Sequence, residues 1–401
     1  MRFLWIGVSV NEDIRKDLLK CNAKILSAAV SEGNLVSGLD ENGYTAMDTI
    51  NSYRFPMYPH GPLKVNRKEW SRTGVSKDVS VGYLNVKYLS HLSRAASLKK
   101  EVRCRAKSIP QDEEVVAIVY SMHSPFMAAA KELKRVHKNT KIVLIVPDLP
   151  QYMDLHMSGV KKMLKALDWK KIKSLMKYVD KYILYSKHMA DFLKLKEGTW
   201  MVMEGSYDPT ITIEEDEIKK DSRKISVMYS GVLDMRYGIP ELLDAFSLIK
   251  DENYELWLTG SGNAVPLIQM RALLDSRIKF FGFLPSRKDL LIKQREATML
   301  INTRKPTEAA SAYCFPSKLF EYMASGNPVL TFRIPGIPEE YWEHLVIMND
   351  CSPECIAENI VKTAKAPVTE IEAFGKSAMN FILENKNKDF QTRKMIEFIK
   401  D

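Results

Sequence analysis

The sequence predicts an α/β protein built from two doubly wound, parallel-sheet domains. Three observations carry this. Short apolar runs alternate with helical patterns along most of the chain, as in strand–helix–strand units with helices on both faces of a sheet. The alternation breaks once, over Glu204 to Arg223, where Gly205 and Pro209 precede the charged run Glu214-Glu215-Asp216-Glu217-Ile218-Lys219-Lys220-Asp221. At 401 residues the chain is also longer than one ordinary core accommodates. The expected limits are a first domain over 1–208, a linker over 209–222, a second domain over 223–379, and a C-terminal helix over 380–401 that packs back on the first domain.

The first domain opens with a buried-strand run, Phe3 to Val8, and a helix from Glu12 to Val30. Ser31 to Lys77 reads as polar and irregular, with Asn42-Gly43, Pro56, Pro59 and Gly61-Pro62. A long amphipathic helix is expected over Val81 to Lys107, then a strand over Val115 to Tyr120 and a helix from Pro125 to His137. Lys141 to Val146 is another strand, ending at Pro147-Asp148; helical sequence covers Gln151 to Tyr178. Strands at Lys181 to Tyr185 and Trp200 to Met203 flank a helix from Lys187 to Leu195. The second domain repeats the pattern more cleanly. Its strands are Ile225–Tyr229, Tyr254–Leu258, Ile278–Phe281, Thr298–Ile301, Val329–Phe332 and Leu345–Met348, with helices between them and two more around Glu370 to Leu383 and Lys388 to Ile399.

One stretch concentrates the chemistry: Phe315-Pro316-Ser317-Lys318-Leu319-Phe320-Glu321-Tyr322-Met323-Ala324-Ser325-Gly326-Asn327-Pro328. Pro316 suits a first helical position, and Gly326 suits the left-handed residue after the last turn. A helix start offers unpaired N–H groups and a partial positive charge to an anion. Ser317 adds a hydroxyl, and Lys318 places a cation where the helix dipole disfavours one unless an anion binds. Glu321 lies one turn beyond Ser317 on the same face, where a carboxylate can accept from two adjacent hydroxyls. A capped surface helix with a solvated lysine and glutamate accounts for the same residues.

Three further segments resemble loops of a known family in order. They are Tyr229-Ser230-Gly231-Val232-Leu233-Asp234-Met235-Arg236-Tyr237-Gly238, Leu258-Thr259-Gly260-Ser261-Gly262, and Ile278-Lys279-Phe280-Phe281-Gly282-Phe283-Leu284-Pro285. With the stretch above, they make the second half similar to the GT-B glycosyltransferases, and within them to the retaining family 4 enzymes of bacterial capsule and lipopolysaccharide synthesis. The resemblance is carried by about Ser226 to Met348 and is architectural over the first domain. It implies a GT-B fold, two Rossmann-like domains facing a cleft. It also implies transfer of a sugar from a nucleoside-diphosphate donor, UDP by family frequency, to a glycan or polyprenyl-linked acceptor. By the resemblance, Glu321 holds the ribose, Ser317 and Lys318 the diphosphate, Gly231 lets backbone approach the phosphates, and Phe283 and Leu284 face the base. The sequence departs from the family at Tyr313, where a glutamate is expected and Glu308 lies nearby. It departs again at Val232 and Tyr237, where basic residues are expected and Arg236 is the cation at hand.

Departure of a nucleoside diphosphate builds negative charge on its β-phosphate, which N–H groups and a cation stabilise. Lys318, with Arg236 or Arg304, is expected to do this without a metal, since no DxD motif is present; no cofactor is expected. Ligands of such sheets lie beyond the strand C-termini, so His123 and Asp148 are the candidates on the acceptor side, Asp148 as a polar contact to either sugar. His123 reads equally as a turn residue opening the next helix.

Charge and composition set the bounds. Residues 1–208 carry 34 Lys/Arg against 22 Asp/Glu, and the remainder 25 against 28, so the net +9 resides in the first half. A Lys-rich helical segment there, with Lys161, Lys162, Lys165, Trp169, Lys170 and Lys173 among apolar residues, fits an anionic membrane surface or simply a solvated face. No apolar run reaches membrane-spanning length and no secretory leader is evident, so a cytoplasmic protein, peripheral at the inner face of the membrane, is expected. Five cysteines without metal spacing fit a reducing compartment. An epimerase of the same fold needs acid–base groups around the sugar, and the second domain offers only His344 as a histidine. A nucleic-acid binder lacks a recognisable reading motif, and no nucleic-acid partner is expected.

Overall fold

A computed structural model gives the architecture; it describes residues 1–21, 27–152 and 159–401. The chain forms two compact units, 1–206 with 388–401, and 207–387. In the first, the strands are β1 (Arg2–Gly7), β2 (Asp48–Asn51), β3 (Lys64–Val65), β4 (Lys68–Trp70), β5 (Asp78–Ser80), β6 (Tyr83–Leu84), β7 (Val115–Tyr120), β8 (Thr140–Val146), β9 (Lys181–Leu184) and β10 (Trp200–Val202). The helices are α1 (Glu12–Lys20), α2 (Ser27–Glu41), α3 (Leu89–Lys107), α4 (Ser124–Val136), α5 (Gly159–Met176) and α6 (His188–Leu193). Eight strands make one sheet, ordered β10-β9-β8-β7-β1-β2-β5-β4 and parallel except at its β4 edge. The apolar runs of β1, β7 and β8 lie at its centre, buried on both faces, as a parallel sheet requires.

The region expected to be irregular, Ser31 to Lys77, holds most of α2 and strands β2 to β5. Leu35, Val36 and Leu39 of α2 are buried, but polar neighbours hide that stripe in the sequence. Those neighbours serve tertiary bonds: Ser31 meets the Tyr185 hydroxyl at 3.1 Å, Asn34 donates to the Ser206 carbonyl at 3.3 Å, and Ser37 receives Lys388 at 3.1 Å. β5 is similarly polar, yet Asp78 is fully bonded by Thr49, Arg72 and Ser76. The helix expected over Glu12 to Val30 ends at Lys20; 22–26 lie outside the described residues, and α2 begins at Ser27. The helix expected from Val81 begins at Leu89, because Tyr83–Leu84 pairs with β3 instead. Of the helical sequence expected from Gln151, 153–158 lie outside the described residues.

Glu32 of α2 fixes the β1 loop. Fully buried, its carboxylate accepts from the Val8 and Ser9 amides at 2.8–2.9 Å and from Trp5 Nε1 at 2.7 Å. Burial pushes its pKa up to about 7 despite these bonds. Between the ordinary glutamate range and about 7 the folded state therefore holds a proton that the unfolded state has released. We predict that Glu32 contributes a loss of stability, roughly 3 kcal/mol in all, as pH rises through this window. Denaturant titrations from acid to neutral pH check this. The slope should flatten in Glu32→Gln, even though that variant loses a good acceptor; an unchanged slope refutes it.

The second unit contains β11 (Ile225–Val232), β12 (Tyr254–Ser261), β13 (Ile278–Phe280), β14 (Met299–Asn302), β15 (Val329–Phe332) and β16 (Val346–Met348). Its helices are α7 (Ile239–Leu248), α8 (Val265–Leu274), α9 (Arg287–Glu296), α10 (Lys318–Ala324), α11 (Pro353–Lys365) and α12 (Val368–Asn385). The six strands are all parallel, ordered β13-β12-β11-β14-β15-β16. The order reverses at β11, so the crevice beyond β11 and β14 is the topological switch point. The segment expected as a linker, 209–222, lies within this unit: Lys288 reaches Glu217 at 2.6 Å and Lys220 reaches Asn327 at 2.8 Å. Glu217 and Lys220 of the charged run thus have partners in the fold. The chain then leaves the unit at Asn387, and the last helix, α13 (Lys388–Lys400), lies in the first unit against α2. There Asn42 donates to Thr392 at 2.9 Å.

Candidate functional site

At the C-terminal edge of the second unit's sheet, glycines bring backbones into contact. Gly231 and Gly260 face each other on β11 and β12 with φ of 124° and 137°. A Cβ on Gly260 would lie 1.8 Å from the Gly231 carbonyl oxygen. The Gly282 carbonyl accepts from the Gly260 amide at 2.8 Å and from Thr259 Oγ1 at 2.7 Å, which pins the start of the Phe283–Leu284 loop. Phe283 is exposed there and Leu284 half-buried.

α10 is shorter than the sequence suggested. It begins at Lys318, and Pro316 and Ser317 lie in a tighter turn whose carbonyls accept from Leu319 and Phe320, three residues on. Gly326 takes the expected left-handed conformation, φ 78°, at the other end. Tyr322, wholly buried, anchors the helix to β11: its hydroxyl accepts from the Ser230 amide at 2.7 Å and donates to the Ser230 carbonyl at 2.9 Å. This places Lys318 beside Gly231, with its ammonium 3.6 Å from the centre of the Tyr229 ring. Although part of the side chain reaches solvent, burial of its end and the nearby Arg304 bring its pKa down to about 7. Among the described residues no carboxylate pairs with it. Two cations close enough to disfavour each other, without a matching acid for Lys318, are the electrostatic requirement for an anion from outside the chain.

Arg304 follows β14. Its Nη1 lies 3.3 Å from Cys314 Sγ and its Nε 3.8 Å from the Glu308 carboxylate, while that Nε is buried without a hydrogen bond. Burial raises the Glu308 pKa against the opposing fields of Arg304 and Arg236. Glu308 is thus drawn into the same cluster, whereas Tyr313 sits on a short 3₁₀ turn, Ser311–Tyr313. Arg236 is already bound. It grips Asp234 through two bonds of 2.9 Å, which raises its pKa, and it is largely exposed. Of the cations expected to meet a leaving group, Lys318 and Arg304 are therefore the two without a bidentate carboxylate. Ser317 is exposed at the start of the turn.

Glu321 is half-buried and pairs with Arg287 at 3.3 Å. Arg287 opens α9, the helix that follows the Phe283–Leu284 loop, so the carboxylate is tied to that loop's far end. Nothing in the sequence singled out Arg287, or Tyr229 and Tyr322 beneath Lys318. Their sole signal is position, because aromatic residues at strand ends and one turn into a helix read as core.

In the first unit His123 and Asp148 follow adjacent parallel strands, β7 and β8. His123 precedes α4 but makes no side-chain cap; its Nε2 faces a guanidinium nitrogen of Arg54, a partner not anticipated from sequence. Asp148 is half-buried, and its charge is felt by Tyr185. On α5, Lys161, Lys162, Lys170 and Lys173 are exposed, and Lys165 is half-buried. Trp169 is half-buried, near Phe192 (centroids 6.4 Å apart), with Lys173 over its ring. Met163, Leu164 and Leu167 are large apolar side chains exposed on the same helix. No helix among the described residues is long and apolar enough to cross a membrane.

Residues 224–365 match the family model described as "Glycosyl transferases group 1". No curated protein matches the sequence. Solved structures match over the whole chain and share the GT-B fold. Sucrose-phosphate synthase from Thermosynechococcus elongatus superposes with a TM-score of 0.65 at 14% identity, covering 100% of this chain and 98% of that one. HepE from Anabaena, in complex with UDP and glucose, gives 0.65 at 11% identity with 100% of both chains covered. An α,α-trehalose-phosphate synthase (UDP-forming) from Burkholderia xenovorans, in complex with glucose-6-phosphate, gives 0.61 at 11% identity, again over 100% of both.

Proposed function

We propose that the chain, whose residues 224–365 match the glycosyl transferases group 1 model and whose structure shares the GT-B fold, transfers a sugar from a UDP-sugar to a glycan or lipid-linked acceptor in surface-polysaccharide synthesis. The observation that carries the donor assignment is Lys318, desolvated beside Gly231 with no carboxylate partner among the described residues. The HepE structure holds UDP and the Burkholderia xenovorans synthase is UDP-forming, which supports UDP as the nucleotide.

In this reading the diphosphate lies over Gly231, within reach of Lys318 and Arg304. As the sugar–oxygen bond breaks, these cations take up the charge that grows on the β-phosphate, and the protein itself supplies the leaving-group stabilisation. Glu321 accepts from the ribose hydroxyls, Ser317 and Glu308 adjoin the diphosphate and sugar, and Phe283 and Leu284 border the base. Asp148 and His123 belong to the acceptor side. Retention of anomeric configuration is part of the proposal. So is attachment of the basic first unit to an anionic membrane face, through the exposed Lys162, Lys170 and Lys173 of α5 with Met163, which lie outside the first unit's apolar groove. His344 supports no epimerase: it stacks on Phe381 at 4.5 Å and meets Ser377 at 3.1 Å.

The test is a panel of nucleotide sugars scored by rise in unfolding temperature, followed by release of UDP with a glycan-bearing acceptor. A UDP-sugar should stabilise the protein. No stabilisation by any nucleotide sugar refutes the proposal. Glu321→Ala should weaken donor binding at least about tenfold, since charged bonds to hydroxyls contribute about 1.5–3 kcal/mol each. Calorimetric titration with UDP checks it, and unchanged affinity removes Glu321 from the site.

A further inference from the structure

The first unit carries a groove of about 760 Å³ that uses none of the donor-site residues. It opens beyond the carboxyl ends of β2 and β7, the side of a parallel sheet where ligands bind. Its lining is mostly apolar. Met57, Tyr88, Leu92, Leu164 and Leu167 line it while remaining 41% to 64% exposed. Hydrophobic surface gathered in one concavity marks a binding site rather than the scattered exposure common to all proteins. α5 contributes one wall from positions three or four apart, Lys161, Leu164, Lys165, Asp168 and Lys171, which share a helix face.

The charges of the groove are one-sided. Among the described residues, six lysines and arginines line it against one carboxylate, Asp168. Asp168 is held internally by Ser124 at 2.5 Å, beside His91. Arg94, only 3% exposed, is bonded to the Ser52 hydroxyl at 2.9 Å and to its carbonyl, and lies by the rings of Tyr83 and Phe126. None of those partners is an acid, and burial with the nearby Arg54 pulls its pKa down to about 9. A guanidinium can only donate, so His123 Nε2 accepts from Arg54. Burial first, then Arg94 and Arg54, hold the ring neutral, which leaves the proton on Nδ1. That Nδ1 is buried and has no hydrogen-bond partner among the described residues. An apolar concavity with a cationic floor and the unpaired His123 Nδ1 fits neither a free sugar nor a purely apolar ligand.

We propose that this groove binds a single long-chain lipid phosphate, its hydrocarbon chain along Leu92, Leu164 and Leu167 and its phosphate over Arg54, Arg94 and His123. The inference rests on the transferase reading only in making such a lipid the acceptor's anchor; binding itself is independent of the donor. Arg54 selects phosphate over alcohol, and the leucines select chain over bare phosphate.

The test is calorimetric titration of the full chain with farnesyl phosphate, with farnesol and inorganic phosphate as comparisons, all without nucleotide. Farnesyl phosphate should bind at least about tenfold more tightly than either. The double variant Leu164→Glu/Leu167→Glu, at exposed positions, should lose at least about tenfold in affinity while its unfolding temperature stays unchanged. Arg54→Gln should bring farnesyl phosphate down to farnesol. Equal binding of farnesol and farnesyl phosphate by the wild type overturns the proposal, as does unchanged affinity in the double variant. Capture by phosphatidylcholine–phosphatidylglycerol vesicles without binding of farnesyl phosphate also overturns it and assigns the surface to the bilayer. A UDP titration of the same sample reads the donor site separately. Loss of UDP binding with farnesyl phosphate binding intact refutes the transferase reading alone.

Discussion

Lys318→Met should lower donor affinity and turnover by about 10²- to 10³-fold, the effect of removing one preorganised cation from a developing phosphate charge. Methionine keeps the length and the contact with Tyr229, so the fold should survive. The environment of Lys318 explains the size. Bringing an ordinary lysine pKa down to about 7 reflects roughly 5 kcal/mol of unfavourable surroundings for the charged form. A bound diphosphate removes that penalty, so binding takes up a proton. Donor affinity should therefore be highest below about pH 7 and fall as pH rises above it, toward about tenfold per pH unit, because the diphosphate of a nucleotide sugar keeps its charge through this range. Without donor the opposite trend is expected: from about pH 7 upward, Lys318 should contribute rising stability, since the unfolded chain still holds the proton the folded one has lost. Titration with UDP-sugar across neutral to alkaline pH measures the first effect. Lys318→Met should abolish the slope, and a persistent slope would falsify the assignment.

Gly260→Ala should unfold or severely destabilise the second unit, by several kcal/mol. The added Cβ meets the Gly231 carbonyl oxygen at 1.8 Å, and φ of 137° is strained for any L side chain. Neither β11 nor β12 can retreat without breaking the ladder that pairs Gly231 with Gly260. Gly282→Ala is the comparison. Its φ of 68° is also left-handed, but a Cβ there meets nothing within 4 Å, so about 1 kcal/mol is expected. Thermal unfolding of both variants decides the matter; similar small losses would show that the strand ends are not held in contact.

The first unit was the harder half to read for a definable reason. α2 buries Glu32 and turns Ser31, Asn34 and Ser37 toward tertiary partners, so its pattern resembles a loop. The charged run over 214–221 resembles a linker until Lys288 and Asn327 are placed beside it. In both cases long-range partners satisfy polar groups, and nothing local announces them.

The alternation of strands and helices in 224–348, the glycines at 231, 260 and 282, the turn at Gly326 and the candidate trio Ser317, Lys318 and Glu321 were legible in sequence alone. Each depends on local backbone conformation or on spacing along one helix, which neighbouring residues determine. Tertiary structure alone decided which cations are available: Arg236 is bound to Asp234, Lys318 is isolated over Tyr229, and Glu321 is joined to Arg287. It alone gathered Arg54, Arg94, His123 and the α5 leucines around one groove. Charge availability and desolvation depend on residues far apart in the chain, and a sequence lists those residues without the distances between them.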